Sequence, residues 1–115
     1  MAEFRLRRAE KIIQEEIGML IVQDRIKDPR INKLIHISHV KISNDMGYAK
    51  IAVSGYCKEK EILKSVDGLN SAAGFIQSVI GKKLKTRLTP KLNFYFDNSI
   101  KEGFEINKLI EDTLT

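Results

Sequence analysis

Two extended runs separated by four turn residues do most to limit what this chain can fold into. Lys33 to Ser43 is rich in β-branched residues, Tyr48 to Tyr56 alternates apolar and polar, and only Asn44-Asp45-Met46-Gly47 lies between them. So short a connection, made of turn-forming residue types, joins neighbouring strands as an antiparallel hairpin. The first run carries a further condition. Ile35 and Ile37 share one parity, whereas Val40 and Ile42 share the other. Side chains alternate faces along a strand, so this switch of phase predicts a bulge or bend near Ser38-His39. In the second run Ala49, Ile51 and Val53 share one face, and Tyr48, Lys50, Ala52 and Ser54 the other.

Helical spacing dominates elsewhere. Ala9, Ile13, Ile17, Leu20 and Ile21, with Ile12 beside them, predict a helix that starts near Glu3 and ends by Lys27, ahead of Asp28-Pro29. Gly18 inside it marks either a close packing contact or a tolerated loss of helix propensity. Ile62, Val66, Leu69 and Ala73 form one stripe of a helix over Glu59 to Asn70, and Ile76, Ile80 and Leu84 align on another from Phe75 to Leu84. Ala72-Ala73-Gly74 between them lets the chain kink. After Thr89-Pro90, Leu92, Phe94 and Phe96 alternate as a third strand, and Ser99 caps a short last helix that Gly103 curtails. The expectation is a single α+β domain over residues 1–115, with a three-stranded sheet packed against helices.

No apolar run approaches the ~18 residues of a membrane span, and the N-terminus has no signal-peptide core, so no membrane role is expected and the cytoplasm is the expected compartment. Cys57 is alone and reads as a half-buried thiol at a strand end. Enzyme signals are poor. His36 and His39, three apart in a strand, are expected on opposite faces and so unable to share a metal; no ligand cluster, phosphate-binding glycine loop or activated nucleophile has the necessary spacing. No catalytic residue, metal, cofactor or small-molecule substrate is expected.

Charge is the more informative signal. The chain has 20 Lys and Arg against 15 Asp and Glu, a net charge of +5. From Gly68 to Tyr95 there are five basic residues and no acid, so this segment holds the entire excess. Lys82, Lys83, Lys85 and Arg87 cover a helix end and its exit, where the helix dipole also favours cations. Arg5, Arg8 and Lys11 open the first helix, where the dipole disfavours them, which argues for a polyanionic partner. Phe4, Tyr48, Tyr56, Phe75 and Tyr95 are expected in core or strand-face packing, so phosphate and shape recognition of folded RNA is favoured over stacking on exposed bases.

Several short runs then resemble one family along nearly the whole chain. They are Asp28-Pro29-Arg30-Ile31, Val40-Lys41-Ile42-Ser43-Asn44-Asp45 leading into Ala49-Lys50-Ile51, Leu69-Asn70-Ser71-Ala72-Ala73-Gly74-Phe75-Ile76, Thr89-Pro90-Lys91-Leu92-Asn93-Phe94 and Asp97-Asn98-Ser99-Ile100. Together they resemble the ribosome-binding factor A family. The resemblance implies a type II KH-like fold of order α-β-β-α-α-β, with Ala72-Ala73-Gly74 as an interhelical kink in place of the Gly-x-x-Gly loop of ordinary KH domains. It implies binding to the immature small ribosomal subunit and its RNA and promotion of late maturation of that RNA, with importance often greatest in the cold; a monomer is expected. The rival expectation is a protein-interaction module that uses its sheet edge or an apolar helix face.

Overall fold

Apolar residues at helical spacing need one continuous surface to bury against, and the computed structural model, which describes residues 2–84 and 89–97, supplies it. Helix α1 (Ala2–Val22) places Ala9, Ile13, Ile17, Leu20 and Ile21 in the core. Each such isoleucine or leucine contributes on the order of 1.5–3 kcal/mol by its removal from water. The helix ends before Lys27 for a local reason. Asp24 adopts a left-handed conformation (φ 56°), the Asp24 amide bonds the Ile21 carbonyl and the Arg25 amide reaches back to Leu20. These reverse bonds satisfy carbonyls that the helix end would leave bare. Gly18 has open space where a Cβ would stand, so it is a tolerated loss of propensity and not a packing device.

The hairpin forms as β1 (Ile35–Ile42) and β2 (Tyr48–Gly55), antiparallel, with the register shift between Ile37 and His39. That shift brings Ile35, Ile37, Val40 and Ile42 all into the core. In the turn, Asp45 accepts bonds from the Gly47 amide and the Ser43 hydroxyl, and Met46, not Gly47, takes the left-handed backbone (φ 62°). Strand β3 (Lys91–Phe96) pairs in parallel with β2, giving the order β1-β2-β3. A parallel neighbour requires a long crossover, and α2 (Glu59–Ser71) and α3 (Ala73–Leu84) provide it. All three helices contribute to one apolar core against one face of the sheet.

Both edges of this sheet are occupied by helix side chains. On β1, the Glu10 carboxylate accepts the outward Ile42 amide at 2.8 Å, and the Gln14 amide donates to the Ile37 carbonyl at 2.9 Å. On β3, Asn70 imitates a fourth strand: its Oδ1 accepts the Phe94 amide at 2.8 Å while its Nδ2 donates to the Phe94 carbonyl at 3.0 Å. Edge-strand addition, one form of the rival expectation, would have to displace these bonds.

The segment between α1 and β1 is stapled to α2. Asp28 accepts the Arg30 backbone amide at 2.9 Å and pairs with its guanidinium, whose Nη2 also donates to Ser71 Oγ at 2.9 Å. The buried Ser65 hydroxyl accepts the Asn32 amide, and Gly68 leaves room for Ile31, because a Cβ there would stand 2.9 Å from its Cγ1. Arg30 holds the Asp28 carboxyl down at about 2, chiefly through the side-chain hydrogen bond.

Residues Lys85 and Arg87, and the expected last helix with Ser99 and Gly103, lie outside the described residues. Two measurements check the scaffold. Asn70→Ala removes both bonds to Phe94 and should lower stability in a denaturant titration by about 1–3 kcal/mol. Because folding depresses the Asp28 pKa from 3.8, its stabilisation is present above that value and lost as pH falls towards 2. The thermal midpoints of wild type and Asp28→Asn should therefore differ at neutral pH and converge below about pH 2, the folded-state value.

Candidate nucleic-acid interface

Helix α3 contains no acidic residue and carries Lys82 and Lys83 exposed in its last turn. Gly74, Ser78 and Gly81 recur on it at spacings of four and three, which places them on one side of the helix. With Gln77, Lys82 and Thr89 they line a surface depression of about 460 Å³. Gly74 leaves open space where another backbone can come close to α3, Gly81 makes room for Thr89, and the lysine at the rim offers charge to a phosphate. Gln77 donates to the Thr89 carbonyl at 3.0 Å, which ties the start of β3 to the helix and forms one wall.

The interhelical break falls at Ala72, which leaves helical geometry (φ −92°, ψ 7°) while its amide still bonds the Gly68 and Leu69 carbonyls. Ala73 and Gly74 already belong to α3. Gly74 has an ordinary backbone conformation, and a Cβ there would meet nothing within 4 Å. The bend therefore does not need glycine at that position; what the missing side chain provides is access to the helix surface.

Arg5, Arg8 and Lys11 are exposed on α1, which packs against α3, the helix that carries Lys82 and Lys83. Glu10, which lies among them in sequence, is engaged with the Ile42 amide. Cys57 is half-buried just after β2, and burial pushes its thiol pKa up, with Glu61 adding to the effect. This is the opposite of an activated nucleophile.

Two sequence expectations require correction. The bulge at Ser38 puts His36 and His39 on the same face, since they pair with Ser54 and Ala52, both of which point away from the core strand face of Ile51 and Val53. Only an unbroken alternation would have projected them oppositely. The aromatics, expected in core or strand-face packing, also depart in part: Tyr48 and Tyr95 take a strand face but are exposed on it, and Tyr56 and Phe75 are exposed as well. Phe4 lies among the residues whose side chains are not described.

The residues that sequence reasoning missed are those of the open sheet face. In register across the three strands stand Tyr48 and Lys91, then Lys41, Lys50 and Asn93, then His39, Ala52 and Tyr95. Beyond them, the Ser38 hydroxyl donates to Asp97 at 2.8 Å, over the centre of the sheet, and the His36 ring stacks beside Tyr56 at 5.5 Å. Ala52 and Ser54 are buried at this end, on a face that carries no helix among the described residues. Strand parity, applied after the bulge, was the signal that would have found the group.

A helix, a hairpin with one bulge, a two-helix crossover and a parallel third strand define a KH-like α+β domain of type II without a Gly-x-x-Gly loop. The family model for ribosome-binding factor A matches residues 5–110. A Treponema denticola ribosome-binding factor A is 47% identical over 110 residues, covering 95% of this chain and 83% of that protein. An Acetivibrio thermocellus relative of the same name is 45% identical, covering 95% and 88%. The chain belongs to the ribosome-binding factor A family. Among solved structures, the solution structure of a Thermotoga maritima protein described as a ribosome binding factor A is similar at a TM-score of 0.65 and 34% identity, covering 75% of this chain and 80% of that one. The crystal structure of ribosome-binding factor A from Thermus thermophilus shares the fold at a TM-score of 0.60 and 19% identity, over 83% and 94% of the two chains.

The two glycines should respond oppositely to a methyl group. Gly74→Ala should leave stability unchanged or raise it by up to about 1 kcal/mol. Gly68→Ala should lower it, because the added carbon meets Ile31 and Asp28. Paired denaturant titrations read both.

Proposed function

We propose that this protein is a non-catalytic RNA-binding factor that binds the immature small ribosomal subunit in the cytoplasm and promotes late maturation of its RNA. The observation that carries this reading is the acid-free α3, with two exposed lysines beside a small-residue surface, in a member of a family named for ribosome binding. The small subunit is the favoured particle because a Thermus thermophilus family member is described in a 30S complex.

Phosphate contacts would come from Lys82 and Lys83, together with Lys85 and Arg87, and then from Arg5, Arg8 and Lys11. Ala72, Ala73 and Gly74 would let the RNA backbone approach the helix break. Such contacts position a protein on RNA without reading its sequence. The rigid body would then hold off competing contacts until the RNA reached its mature arrangement. A binder of this kind shifts an assembly equilibrium only by the difference between its affinities for immature and mature particles. The effect should weigh most in the cold, where RNA rearrangement is slow. The protein acts as a monomer on this reading and needs no small-molecule substrate or cofactor.

Co-sedimentation with immature small subunits, mature small subunits and large subunits across a salt series tests the proposal. Preferential, salt-sensitive binding to immature small subunits is expected; equal binding to every particle would reduce the surface to a generic basic one. The double substitution Lys82→Gln, Lys83→Gln should weaken subunit binding and lower the salt slope by about one for each phosphate the side chains no longer reach. An unchanged affinity and slope would remove the lysines from the interface.

A further inference from the structure

We propose that the open face of the sheet is a second nucleic-acid surface, which takes single-stranded RNA with bases on Tyr48 and Tyr95 and phosphates on Lys41, Lys50 and Lys91. The face is distinct from the α3 surface. It depends on the reading above only in taking RNA as the class of partner.

Tyr48 is 62% exposed and Tyr95 42%, although both lie within strands and not in loops. A large ring left in water on a flat sheet is an available stacking platform, and every base has a face to offer it. Lys50 stands between the two tyrosines on the central strand, with Lys41 beside it on β1 and Asn93 beside it on β3. Lys91 is paired with Tyr48. All of these side chains are exposed, and among the described residues no acid stands in register with them on the strands; Asp45, in the adjoining turn, is engaged by the Ser43 hydroxyl and the Gly47 amide. The acid on the face, Asp97, sits beyond Tyr95 and accepts the Ser38 hydroxyl.

The spacing selects the partner's form. Tyr95 lies beside Ala52, four residues along β2 from Tyr48, so the rings stand roughly 13–14 Å apart at about 3.3 Å per residue and one strand spacing sideways. Neighbouring stacked bases are only about 3.4 Å apart. Two adjacent stacked bases therefore cannot occupy both rings. An extended strand can place one base on each, with intervening phosphates over Lys50 and Lys41. Duplex RNA keeps its bases paired inside and presents none to a ring. Charge argues against a protein partner: three lysines, offset only by Asp45 in the adjoining turn, call for an acidic complement, which a phosphate backbone supplies at every step.

The chain has three tyrosines and no tryptophan. Tyr48 and Tyr95 belong to this face, and Tyr56 stacks on His36 at its end, so intrinsic emission reports on this region alone. The experiment is titration of the full-length chain with short oligouridine at low salt, followed by tyrosine emission. A hairpin duplex of equal length serves as the comparison. Oligouridine should quench the emission and the duplex should not. Tyr48→Ala and Tyr95→Ala should each weaken oligouridine binding about fivefold or more, and Tyr→Phe at either position should retain it. Lys50→Gln should lower the salt slope by about one. In the Lys82→Gln, Lys83→Gln variant, saturating oligouridine should still quench the tyrosine emission as it does in wild type, because the rings lie on the other surface. Circular dichroism establishes that each variant is folded, and wild-type quenching alone is informative should a variant fail to fold. Absence of quenching in the wild type would overturn the proposal and pass the face to a protein partner. Unchanged affinity in both alanine variants would overturn it too. Failure of subunit binding with oligouridine binding intact would sink the subunit reading and leave this one standing.

Discussion

One extra residue in β1 organises this molecule. Without the shift at Ser38, Ile35 and Ile37 would face the helices while Val40 and Ile42 faced water, or the reverse. Half of the strand's apolar side chains would be lost to the core. The bulge has its own anchors: Gln14 of α1 holds the Ile37 carbonyl, and the Ser38 hydroxyl reaches the Asp97 carboxylate across the sheet. A local irregularity is thus tied to the first helix at one side and to the end of β3 at the other. It also sets the chemistry of the outer face by turning His36 and His39 the same way.

The remainder of the scaffold solves a problem common to small sheets. Three strands leave two edges with unpaired amides and carbonyls, which cost free energy when shielded from water and invite association when left open. Here α1 and α2 send Glu10, Gln14 and Asn70 to those edges, so the helices that bury the core also terminate the sheet. The runs that resemble the family fall largely on such positions. Asp28 and Arg30 staple a loop to α2, Asn70 closes β3, Ser71 receives Arg30 and Asp97 receives Ser38. The motifs that identify the chain thus contain many of the residues that hold it together, and Lys41, Lys50, Lys91 and Ala72-Ala73-Gly74, proposed to meet RNA, lie in the same runs.

This division has a consequence for how the protein would act. Its two candidate surfaces differ in kind. The α3 surface is small-residued and basic, suited to the close approach of a backbone; the sheet face is aromatic and basic, suited to bases freed from pairing. A rigid body with both could hold a folded element on one side and an extended strand on the other. RNA in which those two parts are already docked together would lose one of the contacts, which is the differential affinity an assembly factor needs.

Among the described residues, element types and order were legible in the sequence because they follow from period alone: 3.6 for the helices, two for the strands, and a phase switch that located the bulge to within a residue. The basic end of α3 was legible as well, since charge composition needs no fold to be counted. The end of α1 was less so, because a reverse-bonded cap on Asp24 is available to a residue type not distinctive of it. The pairing of β3 beside β2, the edge bonds from Asn70 and Glu10, and the assembly of Tyr48, Lys50, Lys41, Lys91 and Tyr95 on one face join residues up to dozens of positions apart. Each strand by itself shows only an alternation, with no mark of which neighbour its outward residues will meet. Register and strand order decide that, and they are set by how the helices pack on the other side of the sheet.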